Sequence, residues 1–191
     1  MRVTVFGGAG FLGSHVADAL SQAGHAVTVF DVKSSPYLRP DQQGIVGDIL
    51  DADQVGGAVK GCDIVYNFAG IADIEKANAR PLETVRINVL GNTVLLEAAK
   101  QEKVKRFVFA SSLYVYSNAG AFYRSTKQAC ELLIENYRQA YGLPYTILRY
   151  GSLYGDRADR QNWIYRVLHE AVTEGRIVRY GDGEEIREYI H

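Results

Sequence analysis

A chain of 191 residues, 47% hydrophobic and 23% charged, is long enough to bury the core of one α/β domain. Its net charge of −1 gives no electrostatic reason to expect nucleic acid or an anionic membrane surface as partner. Cys62 and Cys130 stand far apart without metal-ligand spacing, no apolar run approaches bilayer length, and the N-terminus enters a strand at once, which together point to the cytoplasm and to no metal.

Residues 2–6 read as an apolar strand that runs straight into glycines at 7, 8, 10 and 13. A helical pattern follows over Phe11 to Ala23, with Leu12, Val16, Ala19, Leu20 and Ala23 expected to face a sheet. The second strand, 26–31, closes on Asp31. Strand, glycine turn, helix and strand-terminal acid are the parts of a dinucleotide cradle. Gly7 and Gly10 permit a tight turn and a close approach of backbone N–H groups to a pyrophosphate. Gly13 lets the helix pack closely, and the helix N-terminus faces the phosphates. Asp31 accepts the adenosine ribose hydroxyls and repels a 2′-phosphate, which selects NAD over NADP. Lys33 and Arg39 lie in the following loop, where solvated charge is the simpler reading.

Further strands are expected at 44–47, 63–68, 105–111, 144–150 and 177–180. Asp51 or Asp53 caps a short helix ending near Gly61. Pro81 to Lys100 reads as a long helix with Leu82, Val85, Val89, Val94, Leu95 and Ala98 inward, and Phe122 to Tyr141 as another ended by Gly142. The looser stretches are Lys33–Gln43, Asn118–Ala121 and Gly155–Asn162. Strands alternating with helices imply a doubly wound parallel sheet of the Rossmann type, with helices on both faces. The boundaries expected are 1–176 for the dinucleotide-binding domain and 177–191 for the start of a substrate-binding region. Gly181-Asp182-Gly183 reads as a turn, and the charged run to His191 then stops without a cap, as in a truncated chain.

Strand 105–111 leads into Ser111 and Ser112, and Tyr123 and Lys127 follow early in the next helix. Four-residue spacing puts the phenol and the ammonium on one helical face. The ammonium is expected to lower the Tyr123 pKa, so that the phenol can take a proton from a substrate hydroxyl while its carbon gives hydride to the cofactor. Ser112 would hydrogen-bond the same oxygen.

Here the chain resembles a family. Gly7-Gly8-Ala9-Gly10-Phe11-Leu12-Gly13, Asp31, Asp48-Ile49, Asn67-Phe68-Ala69-Gly70, Asn88-Val89-Leu90-Gly91-Asn92, Ser111-Ser112, Tyr123/Lys127, Arg149 to Gly155 and Arg187 to His191 are similar in kind and order to the extended short-chain dehydrogenases/reductases of the NAD-dependent epimerase/dehydratase group. The resemblance implies that Phe11 and Leu12 bind NAD with the loop glycines, that Asp48 and Ile49 flank the adenine, and that Phe68, Ala69 and Gly70 line the path to the nicotinamide. Lys127 would also hold the nicotinamide ribose, with Ser112, Tyr123 and Lys127 as the catalytic set. Asp48 as a turn cap, Asn67 as a satisfied polar group and Asn88 as a helix residue bonding backbone are the structural alternatives. A nucleotide sugar is the implied substrate.

Dehydratases of this group place an Asp-Glu pair after the hydroxyl residue and decarboxylating members a Glu, whereas Leu113 and Tyr114 stand here. That favours 4-epimerisation through a transient keto sugar. A dehydrogenase of another sugar or small hydroxyl substrate, or a non-catalytic NAD-binding protein, is the alternative. Two departures bear on the substrate. Only eleven positions separate Ser112 from Tyr123, where epimerases usually carry a longer, proline-containing segment, and Ser152 stands where many relatives have asparagine. The resemblance further implies a homodimer built on the Pro81–Lys100 and Phe122–Tyr141 helices, with Leu96, Leu132, Leu133 and Tyr137 as candidates, and a C-terminal substrate domain largely absent from this chain.

Overall fold

Six strands form one sheet in the order β3-β2-β1-β4-β5-β6, in a computed structural model that describes residues 1–178, 184 and 188–191. They are β1 (Arg2–Phe6), β2 (Ala26–Asp31), β3 (Gln42–Val46), β4 (Ile64–Asn67), β5 (Arg106–Ser112) and β6 (Tyr145–Tyr150). The β1–β2, β2–β3, β1–β4 and β4–β5 pairs are parallel, as the alternation of strand and helix required. The order reverses between β1 and β4. This crevice at the carboxyl ends of the strands is where open α/β sheets collect ligands.

Period-two alternation splits the core between the two faces. Val3, Val5, Val27 and Val29 pack with Ala17 of α1 (Phe11–Gln22) on one side. Phe6, Phe30, Leu95, Phe107, Phe109 and Ile134 meet on the other. The buried stripe of α1 is Gly13, Ser14, Ala17 and Ser21 rather than the larger apolar residues expected, and Ala19 and Ala23 are exposed. Small side chains win that face because they let the helix lie close to the β1 turn.

Asp51 caps α2 (Ala52–Val59) through hydrogen bonds from the Asp53 and Gln54 amides. Two short helices, α3 (Ile74–Ala79) and α4 (Pro81–Val85), precede a π-turn at Arg86–Leu90 that continues into α5 (Gly91–Gln101). The sequence suggested neither α3 nor the π-turn. Leu82 and Val85 point to solvent, while Thr84, Asn88, Asn92 and Leu95 are buried. The extra residue of the π-turn changes the phase on which the inward reading of Leu82 and Val85 relied. After β5 comes a 3₁₀ turn, Leu113–Tyr116, and then α6 (Ala121–Tyr141), which ends on Gly142 in the left-handed region at φ 73°.

Two compact units divide the chain, Met1–Arg149 and Tyr150–His191. In the second, β7 (Ser152–Leu153) pairs in parallel with β8 (Tyr189–Ile190), and Asn162 caps α7 (Trp163–Glu174) by accepting the Tyr165 amide. A cavity of about 590 Å³ within this unit, lined by Tyr154, Ile164, Leu168 and Val172, holds none of the predicted site residues. The glycine turn at 181–183, residues 179–180 of the last expected strand, and Arg187 lie outside the described residues. Among the described residues no helix is long and apolar enough to cross a membrane, and no His/Cys/Asp/Glu group is arranged to hold a metal.

Candidate active site

Three of the four loop glycines are demanded by the protein's own packing. A Cβ on Gly7, whose φ is 75°, would stand 2.6 Å from the Ala69 nitrogen, and one on Gly8 would stand 2.8 Å from Val29 Cγ1. One on Gly13 would stand 2.2 Å from the Gly7 carbonyl, so this glycine fits the helix against the turn itself. Gly10 is different. Its Cβ would meet only the Gly7 oxygen, at 3.2 Å, so a bare backbone here suits an object arriving from outside. Gly10 is also the N-cap of α1 and offers no side chain, and the first turn holds no acid. Phe11, Leu12 and Gly13 therefore begin a helix whose first amides meet no side-chain acceptor, as an incoming phosphate requires.

Asp31 ends β2 beside this loop, and its Oδ2 accepts the Ala9 amide at 3.0 Å. Arg39 is held by Asp41 at 2.9 Å, which removes it as a simple receptor for a 2′-phosphate. Asp48 Oδ1 accepts the Leu50 amide at 2.9 Å, the turn-capping role foreseen as its alternative. Ile49 is buried in the main core. Phe68 stacks on Tyr66 at 5.8 Å, Ala69 is partly buried, and Gly70 has φ 150°.

The three proton-handling candidates converge at the end of β5. Ser112 is buried, its Oγ accepts the Tyr114 amide at 3.3 Å, and its hydroxyl lies near enough to the Tyr123 phenol to favour its ionised form. Burial raises the Tyr123 pKa above its ordinary value, and the Ser112 hydroxyl pulls the other way without reversing it. The expected depression by Lys127 is not found. Lys127 Nζ donates to the Ala110 carbonyl at 2.7 Å and stands over the rings of Phe109 and Tyr123, 4.7 and 5.7 Å from their centroids. The ammonium thus faces the aromatic faces and a strand carbonyl, and desolvation dominates both groups. Burial brings Lys127 itself down to about 8.

Asn88 carries more than its family resemblance suggested. Its Oδ1 accepts the Ile71 amide at 2.7 Å, and its Nδ2 donates to the Ile71 carbonyl and to Thr126 Oγ1, both at 3.1 Å. It ties the loop after β4 to the helix that bears Tyr123 and Lys127. The Asn88 carbonyl, within the π-turn, accepts the Cys130 thiol at 3.1 Å. Asn67 is a satisfied group at the strand end, donating to Asn92 Oδ1 at 2.9 Å. Sequence reasoning passed over Glu131, which takes the Ser111 hydroxyl at 2.5 Å and Arg149 at 2.7 Å. The only signal was its place one turn after Lys127.

The profile of the NAD dependent epimerase/dehydratase family matches residues 3–191. The chain is 30% identical to the low-salt glycan biosynthesis protein Agl12 of Haloferax volcanii, over an alignment covering 100% of this chain and 69% of that protein. A UDP-glucose 4-epimerase from Thermotoga maritima, solved with UDP-glucose, superposes with a TM-score of 0.92 at 30% identity, over 100% of this chain and 69% of that one. A UDP-glucuronic acid 4-epimerase from Bacillus cereus, solved with UDP-glucuronic acid and NAD, gives 0.89 at 27% identity over 99% and 68%. A decarboxylase and dehydratases stand among further relatives at similar identity. The chain spans about two thirds of the length of the curated relatives it matches.

Proposed function

This chain belongs to the NAD-dependent epimerase/dehydratase family, and from that premise we propose that the protein uses NAD to oxidise and re-reduce a hydroxyl of a nucleotide sugar, as a 4-epimerase. One observation carries the choice within the family. Ser112, Tyr123 and Lys127 meet at the end of β5, and the turn that follows Ser112 carries Leu113 and Tyr114 where elimination or decarboxylation would call for a carboxylate.

The amides at the start of α1 and the bare face of Gly10 suit the pyrophosphate, and the Asp31 carboxylate suits the adenosine ribose. Bound NAD supplies the hydride acceptor and donor. Tyr123, as phenolate, takes the proton of the substrate hydroxyl and returns it after the sugar has turned its other face. Ser112 donates a hydrogen bond to the same oxygen as charge develops there. Lys127 stands over the Tyr123 ring, where its charge would favour the phenolate once the proton has moved.

Tyr123→Phe should abolish turnover of UDP-hexoses by the protein while NAD affinity, measured by calorimetry, stays within about threefold. Full activity in the variant would remove Tyr123 from the base role. The short connection between Ser112 and Tyr123 favours a second reading, in which the oxidised hydroxyl belongs to another sugar or small molecule. A substrate panel scored by NADH formation separates the two. Exposed Leu82, Val85, Leu90 and Leu132 support a homodimer, although Leu96 and Tyr137 are buried and Leu133 packs against this chain's own core, and the three leave that set. The free, buried Cys62 and Cys130 support a cytoplasmic location.

A further inference from the structure

Three consecutive residues at the end of β5 each face a different residue of α6. The Ala110 carbonyl accepts from Lys127, the Ser111 hydroxyl donates to Glu131, and the Ser112 hydroxyl lies near enough to the Tyr123 phenol to favour its ionised form. Tyr123, Lys127 and Glu131 are spaced by four, so they form one stripe along the helix. Glu131 is buried, at 8% exposure, and two bonds from Arg149 on β6 hold it, Nη2 to Oε2 at 2.7 Å and Nε to Oε1 at 3.0 Å. Arg149 also donates to the Tyr116 hydroxyl and lies 4.9 Å from the centroid of its ring. The fork thus joins β6, α6 and the turn that follows Ser112.

Burying the Glu131 carboxylate is a costly way to fill space even with Arg149 about one third exposed, at 36%, since an apolar side chain of similar volume would pack there at no desolvation penalty. Its placement gives it another use. The geometry points to Glu131 as a positioning residue that fixes the register of Ser112 against Tyr123 and supplies the negative charge offsetting the buried Lys127 ammonium. This rests on the reading of Tyr123 and Lys127 as the proton-handling pair.

The charges around the stripe agree. Desolvation pushes the Glu131 carboxyl up, but the Arg149 and Ser111 hydrogen bonds outweigh it and hold the group below its ordinary value, so it is anionic at neutral pH. Burial draws Lys127 down, opposed by Cys130 and Glu131. The Cys130 thiol is itself pushed by burial to about 12 and stays neutral while Lys127 titrates, so the operative charge is that of Glu131. The other groups facing the stripe are Tyr114 and Tyr116 from the turn and Arg149 from β6, while β5 presents the Phe109 ring, a carbonyl and two hydroxyls.

The test is a carbon-13 NMR titration of Lys127 Cε in the 191-residue chain, assigned with Lys127→Met, together with NAD affinity at pH 6.5 and 8.5. Glu131→Gln keeps the size and removes the charge. It should lower the Lys127 midpoint by about one unit, a tenfold loss of ammonium above the midpoint, and weaken NAD more at the higher pH. Glu131→Asp should recover part of that shift. An unmoved midpoint in a folded Glu131→Gln overturns the electrostatic role. Ser111→Ala keeps the ion pair and the Lys127 bond to Ala110 but removes the tie between Glu131 and the strand. The Tyr123 Cζ titration should then move upward as the Ser112 hydroxyl draws away from the phenol, and an unchanged one overturns the registering role. Should Glu131→Gln fail to fold, Ser111→Ala carries the test alone. A parent chain that does not bind NAD would sink the functional reading, while both titrations would still report on Glu131.

Discussion

Replacing Gly13 by alanine adds one methyl group where the turn leaves no room. The new carbon would lie 2.2 Å from the Gly7 carbonyl and 2.9 Å from Gly8 Cα, both backbone atoms that cannot rotate aside. Roughly an ångström must be found by sliding α1 along the sheet. Overpacking of this kind costs about 2 kcal/mol, or about 4–8 °C in midpoint for a chain of this size. The same slide carries the first amides of α1 away from the pyrophosphate, so NAD affinity should fall by at least about tenfold. Gly56→Ala in α2 is the control, because a Cβ there meets nothing within 4 Å and gains about 0.5–1 kcal/mol from helix propensity. The assay is urea unfolding followed by circular dichroism, with and without saturating NAD. The two substitutions should move the midpoint in opposite directions, and NAD should add less stability to Gly13→Ala than to the parent. A Gly13→Ala protein as stable as the parent, with the same NAD-dependent increment, would refute the close approach of helix and turn.

Asp31→Ala removes an acceptor for the ribose and the repulsion of a 2′-phosphate. NAD should weaken by about 10- to 100-fold while NADP improves, measured by calorimetry, and an unchanged ratio would exclude Asp31 from discrimination. Asn88→Ala strands the Ile71 amide and carbonyl, while the Thr126 hydroxyl keeps its bond to the Tyr123 carbonyl, and should cost about 3 kcal/mol in urea unfolding. A loss under about 1 kcal/mol would mean that the brace is dispensable. Lys127 titrates near 8 in the fold against 10.5 in the unfolded chain, so the unfolded state holds the extra proton between those values and stability rises with pH across them. Lys127→Met should therefore be more stable than the parent by an amount on the order of 3 kcal/mol below pH 8. The difference should shrink toward pH 10.5, and a pH-independent difference would show that the ammonium is not buried.

The strands were read from the sequence nearly to their ends, since β1, β2 and β5 are apolar runs closed by glycine, aspartate or serine. The site on them was legible for the same reason: its residues sit at strand ends and at one helical spacing. Helix faces were not. Periodicity of large apolar residues favoured Leu12 and Val16 on α1, yet Ser14, Ala17 and Ser21 are what a close helix-to-sheet contact buries. A π-turn leaves no mark in hydropathy, so Leu82 and Val85 kept a phase that the chain abandons at Arg86. Glu131 and Arg149 eluded the reading because a glutamate one turn after a lysine has the pattern of an ordinary surface pair, and its burial comes from β6.

The π-turn at Arg86–Leu90 also bears on how this chain tolerates length changes. A π-turn is one residue more than an α-helix needs, so deleting a residue there can close the ladder without loss of backbone hydrogen bonds. The cost appears elsewhere. The helix on either side keeps its facing, because the widened turn of five residues turns about as far as four α-helical ones, but the Asn88 carbonyl that accepts the Cys130 thiol would be drawn back into the ladder. The spare residue therefore costs the helix no change of face, and the run can vary by one residue in length while Thr84 and Asn88, one turn apart, go on pointing into the same interior.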